Sequence, residues 1–423
     1  MIKPCFTVLL CILIFSCKKN YDAPVPDTKW DLFNSPNGTS LNNNTRNKLE
    51  GVYSIADATD VFGPSTALKW SYTANGRDTT YHLSMFCEKQ VVYIICEGKR
   101  LDSTILLNGY WRNMLNTETG VARFTINKSS GVEYLLNSST PGTNPETTIT
   151  GTFGTGDVAP DRTITLQYKR PLYKATPLEI VAHRGGGRTS DLLPASENTV
   201  EIIKMASRFG ATGIEIDVRF TSDGVPVLYH DATINERLIQ KNGMIGPIEN
   251  YSYAQLNGLV RLIKGERIPT LREALDAVVY NTSLRYVWLD TKFTGSMQKE
   301  RDIQVEYLQK AAAVGRNLSI TIGIPDEEVL KNFLKLPGYQ NIPSVVELTP
   351  QDVATTNARI WAPRWTLGLQ NEEVERVHAA GRKAFVWTLD VPDNINKYFL
   401  QGKFDGILSN YPSSVAYYYY AKQ

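Results

Sequence analysis

At Pro177 the texture of the chain changes, and from there onward short apolar runs alternate with amphipathic segments. Ile180-Val181-Ala182, Ile214-Glu215-Ile216 and residues 225–229, 286–289, 320–322, 345–348, 359–361, 384–387 and 406–408 read as strands. Residues 197–209, 271–280, 300–314 and 372–380 read as helices between them. Repeated strand-helix units over about 245 residues suit a (β/α)8 TIM barrel at residues 177–423. A dinucleotide fold is disfavoured, because no Gly-x-Gly-x-x-Gly follows a strand. The strand candidates outnumber the eight barrel positions by one. One of the weak pair near Val345 and Arg359 is therefore expected outside the barrel.

Residues 49–173 have a different composition, rich in Thr, Asn, Gly and Tyr, with alternation such as Tyr81, Leu83, Met85, Cys87 and Ile164, Leu166, Tyr168. This is the pattern of half-buried antiparallel strands, roughly seven or eight of them. Turn chemistry separates them at Ala74-Asn75-Gly76, Ser129-Ser130-Gly131 and Pro141-Gly142. A small all-β domain follows, barrel or sandwich. It carries no cluster of His, Cys or carboxylates and reads as a spacer or a binding module without chemistry. Trp70, Trp111 and the tyrosines form either its core or a sugar- or lipid-binding face.

Residues 1–17 read as an export signal: Lys3, an apolar run over 5–15 too short to span a bilayer, then Ser16-Cys17 and Lys18-Lys19-Asn20. The junction resembles the lipobox of bacterial lipoproteins, with Cys17 acylated; an ordinary cleaved signal with an incidental Cys17 is the alternative. Residues 18–48, polar and Asn/Pro/Thr-rich, then read as a flexible tether. The expectation is a lipid-anchored protein of the cell envelope, periplasmic or on the outer membrane. Of five cysteines, Cys87 and Cys96 remain for the folded part, and a disulfide between them is left open. If they flank a tight hairpin at 88–90, they do not face each other.

Lys plus Arg number 45 against 43 Asp plus Glu, a net charge of +2, so no single-sign field is available to hold nucleic acid. Recognition is local, and the candidates for acid, base or ligand are His82, His183, His230 and His378.

In such a barrel the active site lies at the C-terminal ends of the strands. The first run ends in His183-Arg184-Gly185-Gly186-Gly187, the second carries Glu215 and Asp217, the third ends in His230-Asp231, and the fourth ends in Asp290 with Lys292 two residues on. Period 2 puts Glu215 and Asp217 on one strand face, where two like charges need a counter-charge. With Asp290 as a third carboxylate, the oxygen set suits Ca²⁺ or Mg²⁺ over Zn²⁺; salt bridges to barrel Lys or Arg are the alternative. Arg184, the 185–187 backbone, Lys292 and a divalent cation would together hold a phosphate oxyanion. Histidines at two separate strand ends beside it suit a general acid and a general base acting on a phosphodiester.

Over residues 181–412 the chain resembles the glycerophosphodiester phosphodiesterases. The motifs run in order: His183-Arg184-Gly185, Glu197-Asn198-Thr199, Gly213-Ile214-Glu215-Ile216-Asp217-Val218, Thr221-Ser222-Asp223-Gly224, His230-Asp231, Ile268-Pro269-Thr270-Leu271, Trp387-Thr388, and Asp405-Gly406-Ile407 leading to Tyr411-Pro412. The resemblance implies a TIM barrel, a divalent cation, and hydrolysis of a small glycerophosphodiester to glycerol 3-phosphate and an alcohol. It makes Glu215, Asp217 and Asp290 the metal ligands, and His183 and His230 the acid/base pair. Arg184 and Lys292 become phosphate contacts, Glu197 a substrate-site residue that orients the His183 loop, and Trp387 a wall of the glycerol pocket. The family's usual residues differ at Asp290 (Glu), Asp390 (Asn) and Ser409-Asn410 (Thr-Asp), and loop 185–196 is longer, as a partial lid would be. Two other readings stay open: a phospholipase-like lyase that stops at the cyclic phosphate, and a catalytically lapsed barrel whose β domain binds a ligand.

Overall fold

The computed structural model describes residues 24–423 apart from 90, 138, 140–141 and 143–145. The export signal, Cys17 and Pro141 lie outside the described residues.

The N-terminal sheet contains β1 (Thr39–Ser40), β2 (Gly51–Ala56), β3 (Ser65–Asn75), β4 (Asp78–Cys87), β5 (Val92–Leu101), β6 (Thr104–Asn113), β7 (Thr119–Ile126), β8 (Thr148–Phe153) and β9 (Arg162–Arg170). From β2 to β9 each strand pairs antiparallel with the next, and β9 returns to β2, so the sheet closes as an up-and-down barrel. Closure removes the free edges that a strand-rich chain otherwise exposes. The alternating residues of the sequence point inward: Leu83, Met85 and Cys87 pack with Ile94, Ile105, Phe124, Ile164 and Leu166 in one core. Trp111 belongs to that core, its Nε1 donating to the Gly154 carbonyl at 2.8 Å. Ser129-Ser130-Gly131 leads into the helix Val132–Asn137 and is not a strand turn.

Residues 24–48 are not a flexible tether. Thr39–Ser40 joins the sheet beside β5, Asn43–Leu49 is a helix capped by Asn42, and Phe33, Leu41 and Leu49 are buried. The segment is held mainly through its backbone: the carbonyls of Pro24, Thr28, Lys29 and Phe33 accept from Arg112, Asn108, Arg123 and Lys99. Such anchoring leaves the composition polar, which is why the sequence reads as a linker. Cys87 and Cys96 are buried free thiols. The β4–β5 register sets Leu83 opposite Cys96 and Phe86 opposite Tyr93, so the two thiols lie at different levels of the sheet.

The second sheet contains β10 (Glu179–Ala182), β11 (Gly213–Phe220), β12 (Pro226–Leu228), β13 (Tyr286–Thr291), β14 (Ser319–Ile324), β15 (Ser344–Val346), β16 (Ile360–Trp361), β17 (Lys383–Val386) and β18 (Gly406–Ser409). All except β12 pair in parallel in chain order, and β18 returns to β10. Helices including Leu271–Asn281, Gln298–Ala313, Asn371–Ala379 and Pro392–Gln401 cover the outside, which makes this a TIM barrel. Both weak runs are barrel strands, contrary to expectation, and the extra one is 225–229. Its β12 folds back antiparallel on β11, because the turn at 221–225 has no room for the crossover of a dozen or so residues that a parallel neighbour requires.

Along the barrel axis Tyr286 and Trp288 stack with Val181, Val345, Ile360, Phe385 and Leu408. Gly323 makes room for them, since a Cβ there would come within 2.6 Å of Trp288 Nε1. By the period of the strand, Asp290 stands above Trp288 at the C-terminal end. The two barrels pack directly: Val52, Ala67 and Phe86 share an apolar cluster with Ile180, Val415, Ala416 and Tyr420, and Ser84 Oγ donates to the Arg208 carbonyl at 2.7 Å.

Candidate active site

Three carboxylates converge at the C-terminal mouth. Asp217 and Asp290 are Cα partners on adjacent strands, and Glu215 lies two residues before Asp217 on the same face. Their ligand oxygens all lie within 4.8 Å of one another. Each residue is largely fixed on one oxygen: Glu215 Oε2 accepts from the Arg184 backbone N–H at 2.8 Å, Asp217 Oδ2 from Asn198 Nδ2 at 2.7 Å, and Asp290 Oδ2 from Lys292 Nζ at 2.6 Å. The other oxygens, Glu215 Oε1, Asp217 Oδ1 and Asp290 Oδ1, are buried without a hydrogen bond. Among the described residues, the Lys292 ammonium, 3.5 Å from Asp217 Oδ1, is the ion-pair partner near them.

The electrostatics match that geometry. Burial and the charges of Asp217 and Asp290 push Glu215 well above the usual carboxylate range. Burial also raises Asp290, with Asp217 adding to it against Lys292. Burial would raise Asp217 as well, but Lys292, His230 and Arg184 outweigh it and hold that carboxyl low. Three converging hard oxygens without hydrogen bonds, and with mutual repulsion, fit a divalent cation, which would relieve all three.

His183 follows β10. Its Nδ1 is 2.7 Å from Asn410 Oδ1, and its Nε2 is 3.8 Å from Glu215 Oε2. The Asn410 amide is oriented by Asp390, which accepts from Asn410 Nδ2 at 2.6 Å and from the Asn410 backbone N–H at 2.8 Å. With Oδ1 thus turned toward His183, Nδ1 carries the ring proton and Nε2 is the free base. Burial and the Arg184 charge lower the His183 pKa to about 4, so the ring is neutral at neutral pH.

His230 comes from the β12 hairpin and not from a barrel strand. The hairpin folds over the end of β11, where the Tyr229 N–H donates to the Asp217 carbonyl at 3.1 Å. His230 Nδ1 pairs with Asp231 Oδ1 at 2.7 Å. Arg237 forks onto Asp231 and Asn235 donates to it, and these bonds with His230 hold the carboxyl well below its ordinary range despite partial burial. One histidine is therefore backed by an amide and the other by a carboxylate.

Residues 183–414 match the glycerophosphoryl diester phosphodiesterase family model. The chain belongs to that family. It is 36% identical over 137 residues to glycerophosphodiester phosphodiesterase 1 of Rattus norvegicus, a match over 30% of this chain that spans only 39% of the rat protein's length. It is 24% identical over 245 residues to the glycerophosphodiester phosphodiesterase of Caldanaerobacter subterraneus, covering 56% of this chain and 95% of that one. A crystal structure of a glycerophosphodiester phosphodiesterase from Parabacteroides distasonis covers 57% of this chain and 96% of its own, at 22% identity and a TM-score of 0.46.

Within this family member the remaining residues expected at the site fall in different places. Arg184 has a left-handed backbone (φ 52), is buried, and bonds Glu197 at 2.7 Å with its Nε unpaired. Glu197 is not open to a substrate: it lies beneath the mouth, its oxygens taken by Arg184, Arg237 and the Thr189 N–H. Trp387 follows β17, donates Nε1 to the Ala362 carbonyl, and carries the Arg364 guanidinium 4.8 Å above its ring. His82 and His378 lie elsewhere, the first buried in the β barrel and the second paired with Asp405 at 2.8 Å.

Sequence reasoning assigned no role to Asn198, Arg237, Glu347 or Arg364. Glu347 directly follows β15, and burial with the Asp290 charge raises it well above its ordinary range, so it belongs to the mouth. Its position at the end of an apolar run was the available signal.

Proposed function

We propose that the chain is a metal-dependent phosphodiesterase that hydrolyses glycerophosphodiesters to glycerol 3-phosphate and an alcohol. The observation that carries this reading is the convergence of three carboxylate oxygens that have no hydrogen bond and two histidines of opposite backing, an amide behind His183 and a carboxylate behind His230. Glu215, Asp217 and Asp290 would hold the cation, Ca²⁺ or Mg²⁺, which when bound supplies charge neutralisation and Lewis acidity toward phosphate.

His183 acts first, its neutral Nε2 taking the proton of the glycerol 2-hydroxyl. The hydroxyl oxygen attacks phosphorus, and the alcohol leaves with a proton from His230, whose developing charge change is offset by Asp231. Water then opens the cyclic phosphate: it gives its proton to His230, and His183 returns one to the 2-hydroxyl. Lys292 and Arg184 hold phosphate oxygens through charge-assisted bonds. Trp387 walls the glycerol side. The protein works at the cell envelope, anchored through acylated Cys17, on a small soluble substrate.

Phosphorus NMR of a turnover mixture with glycerophosphocholine tests the reading. Glycerol 3-phosphate accumulating as the final product supports it; glycerol 1,2-cyclic phosphate as the end product makes the enzyme a lyase instead.

A further inference from the structure

Among the described residues, one polar side chain of the N-terminal barrel bonds the loop beside the mouth of the other barrel. Arg112, on β6, is 0% exposed, and among the described residues no carboxylate pairs with it. It donates from one guanidinium nitrogen to the Leu192 carbonyl at 2.6 Å and from the other to the Pro24 carbonyl at 3.2 Å, with Nε unpaired. Burying a charge against carbonyls alone is costly for the barrel itself. What it supplies is a grip on two backbone segments outside that barrel.

The segment gripped at Leu192 is the loop that flanks the site. Leu192 has a left-handed backbone (φ 53, ψ 44), a conformation disfavoured for any residue with a side chain. The residue before it, Asp191, is buried and ties the loop to the mouth: it accepts from Arg188 Nε, Arg188 NH2 and the Arg188 N–H, and from the Tyr411 hydroxyl at 3.0 Å. Tyr411 adjoins Asn410, which holds His183. At Gly187 a Cβ would come within 3.1 Å of the Asn410 carbonyl oxygen, so the loop lies directly against that strand end. Val91 and Met114 of the N-terminal barrel share a continuous apolar cluster with Leu193, Ala195 and Ile202.

We propose that Arg112 is a positioning residue for loop 185–196, which makes the N-terminal barrel a working part of the active site and not a spacer. Arg112 fixes the Leu192 carbonyl, that fixes Asp191, and Asp191 keeps Arg188 and Tyr411 at the mouth. The kinetic consequence rests on the phosphodiesterase reading; the consequence for the loop does not.

The test compares Arg112→Met and Arg112→Lys with Arg123→Met in the full chain. Arg123 also holds a carbonyl of the N-terminal segment, that of Lys29 at 2.7 Å, but has no bond to the loop. Amide hydrogen exchange over 186–195 is expected to quicken in Arg112→Met while β10 and β11 stay protected. The Lys variant, which keeps the charge but cannot fork, is expected to fall between and serves alone if the Met variant does not fold. With glycerophosphocholine and saturating Mg²⁺, KM is expected to rise about tenfold with a smaller fall in kcat, and Arg123→Met to match the wild type. Wild-type exchange in the loop of the Arg112 variants, or equal loosening by Arg123→Met, would overturn the proposal. Absence of hydrolysis by the wild type, with the exchange pattern as expected, would sink the phosphodiesterase reading and leave the clamp standing.

Discussion

Asn410 presents its side-chain oxygen to His183 Nδ1 at 2.7 Å because Asp390 holds its amide nitrogen at 2.6 Å. The resemblance read from the sequence implies Asn and Asp at these two places in the opposite order, and the two residues are bonded partners in the structure. The negative charge is thereby kept one residue away from the His183 imidazole. Asn410→Ala is expected to lower kcat/KM by about 10- to 100-fold through loss of ring orientation, as for other oriented histidines. Asp390→Asn, which frees the amide to turn, should cost less. Steady-state kinetics of the two variants, with circular dichroism to confirm folding, gives the order.

The carboxylate triad predicts metal-linked stability. With mutual repulsion relieved by the ion, Ca²⁺ or Mg²⁺ should raise the melting temperature, by mass action on the folded state. Asp217→Asn, which removes the fully buried member of the triad, should abolish both that shift and the heat of binding in calorimetry. An unchanged melting temperature at millimolar metal would count against the site.

His82 gives the N-terminal barrel an acid sensitivity unrelated to catalysis. Burial, with Arg208 nearby, lowers its pKa to about 3 from an ordinary 6.5. A base whose folded pKa is depressed leaves stability unaffected above the unfolded value and takes it away as pH falls from 6.5 toward 3. By pH 5 the loss is about 2 kcal/mol at this residue. Urea titrations at pH 7 and pH 5 should show that much less acid destabilisation in His82→Gln than in the wild type.

The thiols should be silent in the native state. Burial pushes Cys87 up to about 12 and Cys96 higher still, so neither offers thiolate at neutral pH. A thiol reagent is expected to titrate them only after denaturation, and reductant should leave the melting temperature unchanged.

The barrel and its mouth were legible in the sequence because polar residues ending apolar runs have one meaning in a parallel barrel: Glu215, Asp217 and Asp290 converge as their spacing requires. The β12 run was misread because 225–229 is as apolar as a barrel strand, while β16 has only two paired residues. Connection length, not hydrophobicity, separates them. Residues 24–48 were misread because carbonyl anchoring to Arg112, Asn108 and Arg123 leaves no hydrophobic period. The Asp390–Asn410 bond joins two loops 20 residues apart, and nothing local in either segment announces the other.

The most direct measurement is release of glycerol 3-phosphate from glycerophosphocholine and glycerophosphoethanolamine by the wild type, His183→Ala and His230→Ala, each with Ca²⁺, with Mg²⁺ and with chelator. The account predicts metal-dependent release that chelator abolishes and that falls by about 100-fold or more in both variants. Release that persists in either histidine variant, or that ignores the chelator, would contradict it.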